Sequence, residues 1–145
     1  MTATLLYRIA AVVLLLFAAG HTFGFLKFKP PTPEGVAVRD AMDSVQFKMG
    51  SKSYTYGDFY RGFGLFCTAY LLFAAFLAWH LGSLARSSPQ AIGPLGWVFF
   101  GLQVVSIVLS WKYFVSPPVI FSAVLAVLTG WAAWLISSSA QHVSS

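Results

Sequence analysis

Four long apolar stretches, separated by shorter polar segments, dominate the pattern of hydrophobic and polar positions along the chain. The first stretch holds no Asp, Glu, Lys or Arg between Ile9 and Leu26. A run of about 18 apolar residues is long enough to cross a hydrocarbon layer of ~30 Å as one helix. The pattern therefore predicts four membrane-spanning helices, over residues 4–28, 56–81, 95–114 and 117–136.

The segment between the first two apolar stretches is shorter and more charged. Thr32, Pro33 and Glu34 suit the start of a helix, as N-cap, first helical residue and first-turn carboxylate. We predict an amphipathic helix over residues 33–49 that lies on the membrane surface, followed by a turn at residues 50–53. The apolar residues of this helix share one stripe: Val38, Met42, Val45 and Met49.

These elements predict an all-α fold: an integral membrane four-helix bundle with one amphipathic surface helix between its first and second spanning helices. Backbone polar groups in lipid must bond within a helix or a closed barrel, and the apolar stretches have helical length. We expect residues 1–145 to form one transmembrane domain. Gly82 is the expected C-cap of the second spanning helix, and residues 137–145 are the expected frayed tail.

The composition excludes an ordinary soluble domain. Hydrophobic residues make up 58% of the chain and charged residues 9%, with a mean hydropathy of +0.75, whereas soluble domains carry about 25% charged residues. The net charge of +5 would suit a nucleic-acid partner in a soluble protein. Here the basic residues flank apolar spans, so we expect membrane lipids as partners and no nucleic acid.

Basic residues also predict the orientation in the membrane. By the positive-inside rule, the connection between the first and second spans lies in the cytoplasm and both termini lie outside. The outer side would hold Arg8 and Arg86. The cytoplasmic side would hold the other seven basic residues: Lys27, Lys29, Arg39, Lys48, Lys52, Arg61 and Lys112.

His21 is a titratable side chain inside the first apolar stretch. Polar groups are unfavourable in hydrocarbon and usually face a bundle interior, so His21 is a candidate functional residue. Two interpretations stay open: a neutral imidazole bonded to a neighbouring helix, or a group that contacts a ligand or handles protons. No His or carboxylate follows three or four residues later, and the single cysteine, Cys67, lacks zinc-site spacing. We therefore expect no metal and no cofactor.

A second candidate lies at the start of the second span. Asp58 and Arg61 are three residues apart and are expected to form an ion pair along one helix face. The pair either caps the helix at the membrane interface, or lets Arg61 present its cation to an anionic head group or substrate.

The third span adds a polar stripe of Gln103, Ser106 and Ser110, which either bonds helices together or lines a cavity. Glu34, after the first span, and Lys112, at the end of the third, are expected to lie toward the same membrane face as His21. The candidate ligand-binding residues are therefore His21, Asp58, Arg61, Gln103, Glu34 and Lys112.

Three short motifs resemble a family of small, uncharacterised four-helix bacterial membrane proteins: GHTFGF at residues 20–25, PPTPEG at 30–35 and DFYRGFGLF at 58–66. More loosely, RIAAVVLLLFAAGH at residues 8–21 is similar to the opening of DoxX-like membrane proteins. These resemblances imply a four-helix bundle in a bacterial inner membrane. Some DoxX-like proteins are linked to redox or quinone processes, and neither resemblance implies a set of catalytic residues.

Three functions fit these features. The favoured one is binding of a lipid, quinone or other lipophilic small molecule, or an accessory role in membrane redox chemistry, because aromatic residues make up 17% of the chain. The second is a structural or assembly subunit that binds another membrane protein or forms a homo-oligomer. The third is an isomerase-like membrane enzyme in which His21 is the acid/base, assisted by Asp58 or Glu34.

Overall fold

The computed structural model describes residues 1–143, and these residues are mostly helical. A two-stranded antiparallel hairpin, β1 (Gln46–Met49) and β2 (Lys52–Thr55), lies between the second and third helices, and a 3-10 turn at Pro89–Ala91 precedes the fourth. The α-helices are α1 (Ala3–Lys27), α2 (Pro33–Ser44), α3 (Tyr56–Ser87), α4 (Leu95–Tyr113) and α5 (Ser116–Val143).

Four of the helices in the described part of the chain are long and apolar enough to cross a membrane: α1, α3, α4 and residues Ser116–Ser139 of α5. Their first residues, Ala3, Tyr56, Leu95 and Ser116, lie within one position of those that the hydrophobic pattern predicts. The prediction of a helical fold with four candidate spans is therefore confirmed, with one short hairpin added.

Gly82 does not end the second spanning helix at residue 81, as the sequence predicted, because α3 continues to Ser87. The glycine is buried inside the helix. A Cβ atom at this position would lie 3.2 Å from Cγ of Arg8 and 3.2 Å from the carbonyl oxygen of Thr4, both in α1. Gly82 therefore serves a close approach of two helices and does not terminate one.

The polar C-terminal segment is helical where it is described. α5 extends to Val143, beyond the predicted end at residue 136. The hydroxyl groups of Ser137, Ser138 and Ser139 donate to carbonyl oxygens four residues earlier, at distances of 2.9–3.0 Å. Such bonds satisfy serine hydroxyls within the helix. The prediction of a frayed tail is therefore wrong for residues 137–143. Residues 144 and 145 of that prediction lie outside the described residues.

The segment predicted as one amphipathic helix over residues 33–49 divides into two elements. Its helical start is as predicted: the side chain of Thr32 accepts a hydrogen bond from the backbone N–H of Gly35 at 3.2 Å and so caps α2. The helix ends at Ser44, however, and no residue of α2 is buried. The prediction is therefore wrong for residues 45–49.

Residues 46–55 form the hairpin instead. Phe47 lies opposite Tyr54 in the register, with ring centroids 6.2 Å apart. Gly50 makes the turn with a φ of +64°, a left-handed conformation that glycine adopts without strain. The cross-strand aromatic pair and the glycine turn favour a hairpin here instead of a continued helix. The turn is shorter than the predicted 50–53, because β2 begins at Lys52.

The described chain divides into two compact units. We call Met1–Phe17 together with residues 71–143 the four-helix unit, and Ala18–Tyr70 the hairpin unit. Small residues such as Ala10 and Ala78 let the helix segments of the four-helix unit pack closely. The largest fully buried hydrophobic side chains of the described chain lie in this unit: Tyr7, Leu6, Leu14, Leu81, Ile92 and Leu125.

Candidate functional site

In the hairpin unit, polar side chains link the end of α1 to α3. Nε2 of His21 lies 3.1 Å from the carbonyl oxygen of Gly64. Because a carbonyl oxygen only accepts hydrogen bonds, Nε2 carries the hydrogen and donates it. Beside this bond, the Oγ1 atoms of Thr22 and Thr68 lie 2.7 Å apart. His21 is thus half-buried and bonded to the neighbouring helix, the geometry that its structural interpretation requires.

The ring of Phe25 occupies the space that Gly64 leaves open on α3. A Cβ atom on Gly64 would lie 2.5 Å from this ring, so the close contact requires glycine. The same ring stacks on the imidazole of His21, with centroids 5.4 Å apart, and meets the ring of Tyr60 edge-on at 6.3 Å. Aromatic contacts therefore extend from His21 to the first turns of α3.

Alternating charges of α2 and the start of α3 contact one another. The guanidinium of Arg61 donates from Nη1 to Oδ1 of Asp43 and from Nη2 to Oδ1 of Asp58, both at 2.8 Å. Nε of Arg39 lies 3.7 Å from the other carboxylate oxygen of Asp43. We call these four residues the charge ladder. Its two guanidinium groups and two carboxylates carry no net charge, and its Asp58–Arg61 ion pair confirms the pair predicted from their spacing.

The charge ladder ties α2 to the start of α3. Gly57 is buried against Asp43, and a Cβ atom there would collide with the Asp43 carboxylate. Thr55 and Asp58 cap the helix reciprocally: Oγ1 of Thr55 accepts from the N–H of Asp58 at 3.0 Å, and the Asp58 carboxylate accepts from the N–H of Thr55 at 3.2 Å. Two carboxylates therefore neutralise the Arg61 cation, whose side chain is 41% exposed.

An open groove lies beside the charge ladder, between α3 and β2. Gly62 leaves one wall of it open, because a Cβ atom at this position would meet no atom within 4 Å. The side chains of Phe63 and Phe66 are each 64% exposed. The volume of this aromatic groove is about 390 Å³, and its lining residues are Tyr54, Asp58, Phe59, Gly62, Phe63 and Phe66.

Of the sequence-predicted ligand-binding residues, Asp58 lines the aromatic groove, and Arg61 contacts Asp58 from outside the lining. His21 lies in the same unit but not in the lining. Glu34 is exposed in the first turn of α2. An isomerase-like reaction would need His21 and a carboxylate on one cavity, and the aromatic groove does not supply that arrangement.

The other two candidates, Gln103 and Lys112, belong to α4 in the four-helix unit. Gln103 and Ser110 are buried, whereas Ser106 is half-buried and donates its hydroxyl to the carbonyl oxygen of Leu102 at 2.9 Å. Lys112 is exposed. The polar stripe predicted for this helix is therefore mostly inside the unit.

The aromatic groove was not predicted from the sequence. Phe59, Phe63 and Phe66 recur at helical spacing on both sides of Gly62, a signal of one aromatic helix face with a gap in it. Tyr54 completes the lining from β2, and the predicted elements held no strand there. The helical half of the groove was therefore open to prediction and the strand half was not.

Among the side chains that the structure describes, those of residues 1–139, no three of His, Cys, Asp or Glu come close enough to hold a metal ion. Comparison of the chain with protein-family models, curated proteins and solved structures gives no match. The resemblance of the sequence motifs to small bacterial membrane proteins therefore stays a prediction. The geometry of the aromatic groove carries the functional interpretation.

Proposed function

We propose that this chain is an integral membrane protein that binds a neutral lipophilic small molecule, of the quinone or lipid type, in the aromatic groove. The observation that carries the proposal is a groove of about 390 Å³, lined by aromatic rings, on a helix long and apolar enough to cross a membrane. Ligand pockets have volumes of about 300–1,000 Å³ and apolar linings with a few polar groups. Quinone binding would suit an accessory role in membrane redox chemistry.

An uncharged polar head suits this groove better than a charged one. Asp58 already accepts hydrogen bonds from Arg61 and Thr55, so a ligand cation would compete with Arg61. A ligand anion would approach a carboxylate. Tyr54 is the other polar side chain of the lining, and its phenol can donate the hydrogen bond that a quinone carbonyl or a lipid ester accepts.

The proposed location is a bacterial inner, or plasma, membrane, with the connection between α1 and α3 in the cytoplasm and both termini outside. Arg39 and Arg61 are paired within the charge ladder, so they contribute less to orientation than unpaired cations. The exposed lysines near this connection still outnumber Arg8 and Arg86, which supports the orientation by the positive-inside rule. These lysines are Lys27, Lys29, Lys48 and Lys52.

Filling the aromatic groove tests the proposed function. Gly62→Leu places a side chain in open space, so the helix is expected to fold and to gain helix propensity. We expect this variant to bind a decyl-benzoquinone or a fluorescent fatty acid about tenfold more weakly, the effect of ~1.4 kcal/mol of lost contact. Equilibrium titration of the probe in lipid nanodiscs measures the affinity.

Gly101→Leu in α4 is the matched control for this experiment. A Cβ atom at Gly101 also meets no atom within 4 Å, so the same substitution is made in open space outside the groove. The affinity of this variant should equal that of the wild type. Equal affinities of the Gly62→Leu and Gly101→Leu variants would contradict the proposed binding site.

A structural or assembly subunit is the second candidate function, and the exposed aromatic face of α3 favours it. Phe59, Phe63, Phe66 and Tyr70 are 48–66% exposed and recur at spacings of four, three and four residues. This is the period of a seam between two packed helices. In a homo-oligomer or a complex with another membrane protein, this face would be covered. A cross-linked oligomer joined at this face, in a protein that binds neither probe, would make assembly the better assignment.

A further inference from the structure

The carboxylate side chains of the chain are confined to one of its two units. The four-helix unit carries basic residues, among them Arg8 near the start of α1 and Arg86 in the last turn of α3, but no Asp or Glu. Within its own unit, Arg8 therefore has no Asp or Glu side chain with which to pair. All four carboxylates lie in the hairpin unit: Glu34, Asp40, Asp43 and Asp58.

Arg8 packs against α3 through its stem and one face of its guanidinium. Cζ of Arg8 lies 5.0 Å from the centroid of the Trp79 ring. Its aliphatic stem crosses Gly82, where a Cβ atom would lie 3.2 Å from Cγ of Arg8. The indole and the glycine therefore hold the guanidinium in one place, with a cation–π contact on one side.

One nitrogen atom of the Arg8 guanidinium, Nε, lacks an acceptor in the described structure. This atom is buried, and it has no hydrogen-bond partner within residues 1–139, whose side chains are described. The phenol oxygen of the neighbouring Tyr7, a fully buried side chain, has no partner there either. A buried donor without an acceptor is unfavourable, so a shift of the guanidinium that brings Nε to an acceptor from outside the chain would be favourable.

We propose that Arg8 and Trp79 form a binding site for the phosphate of an anionic phospholipid. A planar guanidinium donates two parallel hydrogen bonds to a phosphate, and tryptophan is enriched at the lipid–water interface. Arg8 lies five residues beyond Ala3, the first residue of α1, or about 8 Å along the helix axis, within reach of the head-group layer. Arg86, about two turns beyond Trp79 on α3, adds a second cation near the same end of that helix.

The lipid site rests on the proposed membrane location but not on the aromatic groove, because its residues belong to the four-helix unit. Its test uses the full chain in nanodiscs of phosphatidylcholine with a minority of phosphatidylglycerol. Native mass spectrometry then counts the phosphatidylglycerol that stays bound. We expect wild-type protein to retain this lipid preferentially, and Arg8→Gln to retain about tenfold less, since a hydrogen bond to a charged group is lost. Arg8→Lys keeps the charge without the planar fork and should fall between them.

Two further variants separate a specific site from a general attraction of cations for the lipid and test the role of the Trp79 ring. Lys29→Gln removes the same charge at an exposed position and should retain the lipid as the wild type does. Trp79→Leu leaves Arg8 in place but removes the ring against which it packs, so retention should fall here too. Equal losses in Arg8→Gln and Lys29→Gln, or no loss in Arg8→Gln and Trp79→Leu, would overturn the site. So would displacement of the lipid by inorganic phosphate.

Failure of the lipid site can be distinguished from failure of the proposed membrane location. If wild-type protein does not sediment with membranes, the membrane location itself fails. If the wild-type protein sediments with membranes and binds the quinone probe, but retains no more phosphatidylglycerol than phosphatidylcholine, the lipid site alone is wrong.

Discussion

At the scale of single residues, His21 links α1 to α3 with one hydrogen bond, from Nε2 to the carbonyl oxygen of Gly64. His21→Leu keeps a bulky side chain but removes the donor. Hydrogen bonds between helices in membranes contribute roughly 0.6–1.7 kcal/mol, so we expect the free energy of unfolding to fall by about 1 kcal/mol. An SDS titration followed by circular dichroism measures this change.

His80 provides the control for this prediction. It is exposed on α3 and its imidazole stacks on Phe76, with centroids 6.2 Å apart. His80→Leu should therefore leave the free energy of unfolding within a few tenths of a kcal/mol of the wild-type value, as for most surface substitutions. If His21→Leu abolished quinone binding at unchanged stability, His21 would be a ligand contact and its structural role would be refuted.

The sequence pattern predicted which polar side chains need a hydrogen-bond or ion-pair partner, but it predicted the partner itself only where that partner is local. The Asp58–Arg61 pair was predictable, because its spacing of three residues is local to one helix. The second carboxylate on Arg61 belongs to Asp43, which is 18 positions away, and the acceptor for His21 is a backbone carbonyl that leaves no mark in the sequence. Both depend on how α2 and α1 meet α3.

At the scale of elements, Asp43 is the residue through which the charge ladder holds α2. Asp43→Asn removes a charge that faces both Arg39 and Arg61. Because the ladder is partly exposed, the effect should be modest: we expect amide hydrogen exchange in α2 to speed up about two- to fivefold. The difference from the wild type should shrink at high salt, which screens exposed ion pairs.

Asp40→Asn is the matched control for the ladder. Asp40 is exposed on the same helix, and no salt bridge to it occurs among the described residues. The variant should exchange at the wild-type rate. Exchange that is equally fast in the two variants would mean that lost helix charge, and not the ladder, loosens α2.

Element boundaries were predictable where they depend on local chemistry. Thr32 marks the start of α2 because its capping bond is made three residues later. The hairpin was missed because Val45 and Met49 fit a helical stripe as well as they fit a strand, and the Phe47–Tyr54 pairing that decides between them is not local. The role of Gly82 also depends on a non-local contact, because a side chain there would be too close to α1. The prediction of a C-cap was therefore wrong.

At the scale of the whole molecule, the hydrophobic pattern predicted four candidate spans because crossing a bilayer is a matter of length and composition alone. Predicting the aromatic groove requires tertiary structure as well, because Tyr54 and Phe63 line one space only when β2 lies beside α3. The separation of carboxylates from the four-helix unit was present in the sequence, but it gained meaning only when the structure placed Arg8 on Trp79.

The membrane location on which the account depends is tested most directly at Cys67. This single cysteine is exposed on the surface of α3, eleven residues from its first residue, or about 16 Å along the helix axis. If α3 crosses a bilayer, a membrane-impermeant maleimide should leave Cys67 unlabelled in native membranes and label it after SDS denaturation. In a Cys67→Ser background, Ser51→Cys in the hairpin turn should be labelled in inside-out vesicles without denaturation. Rapid labelling of Cys67 in intact membranes would contradict the account.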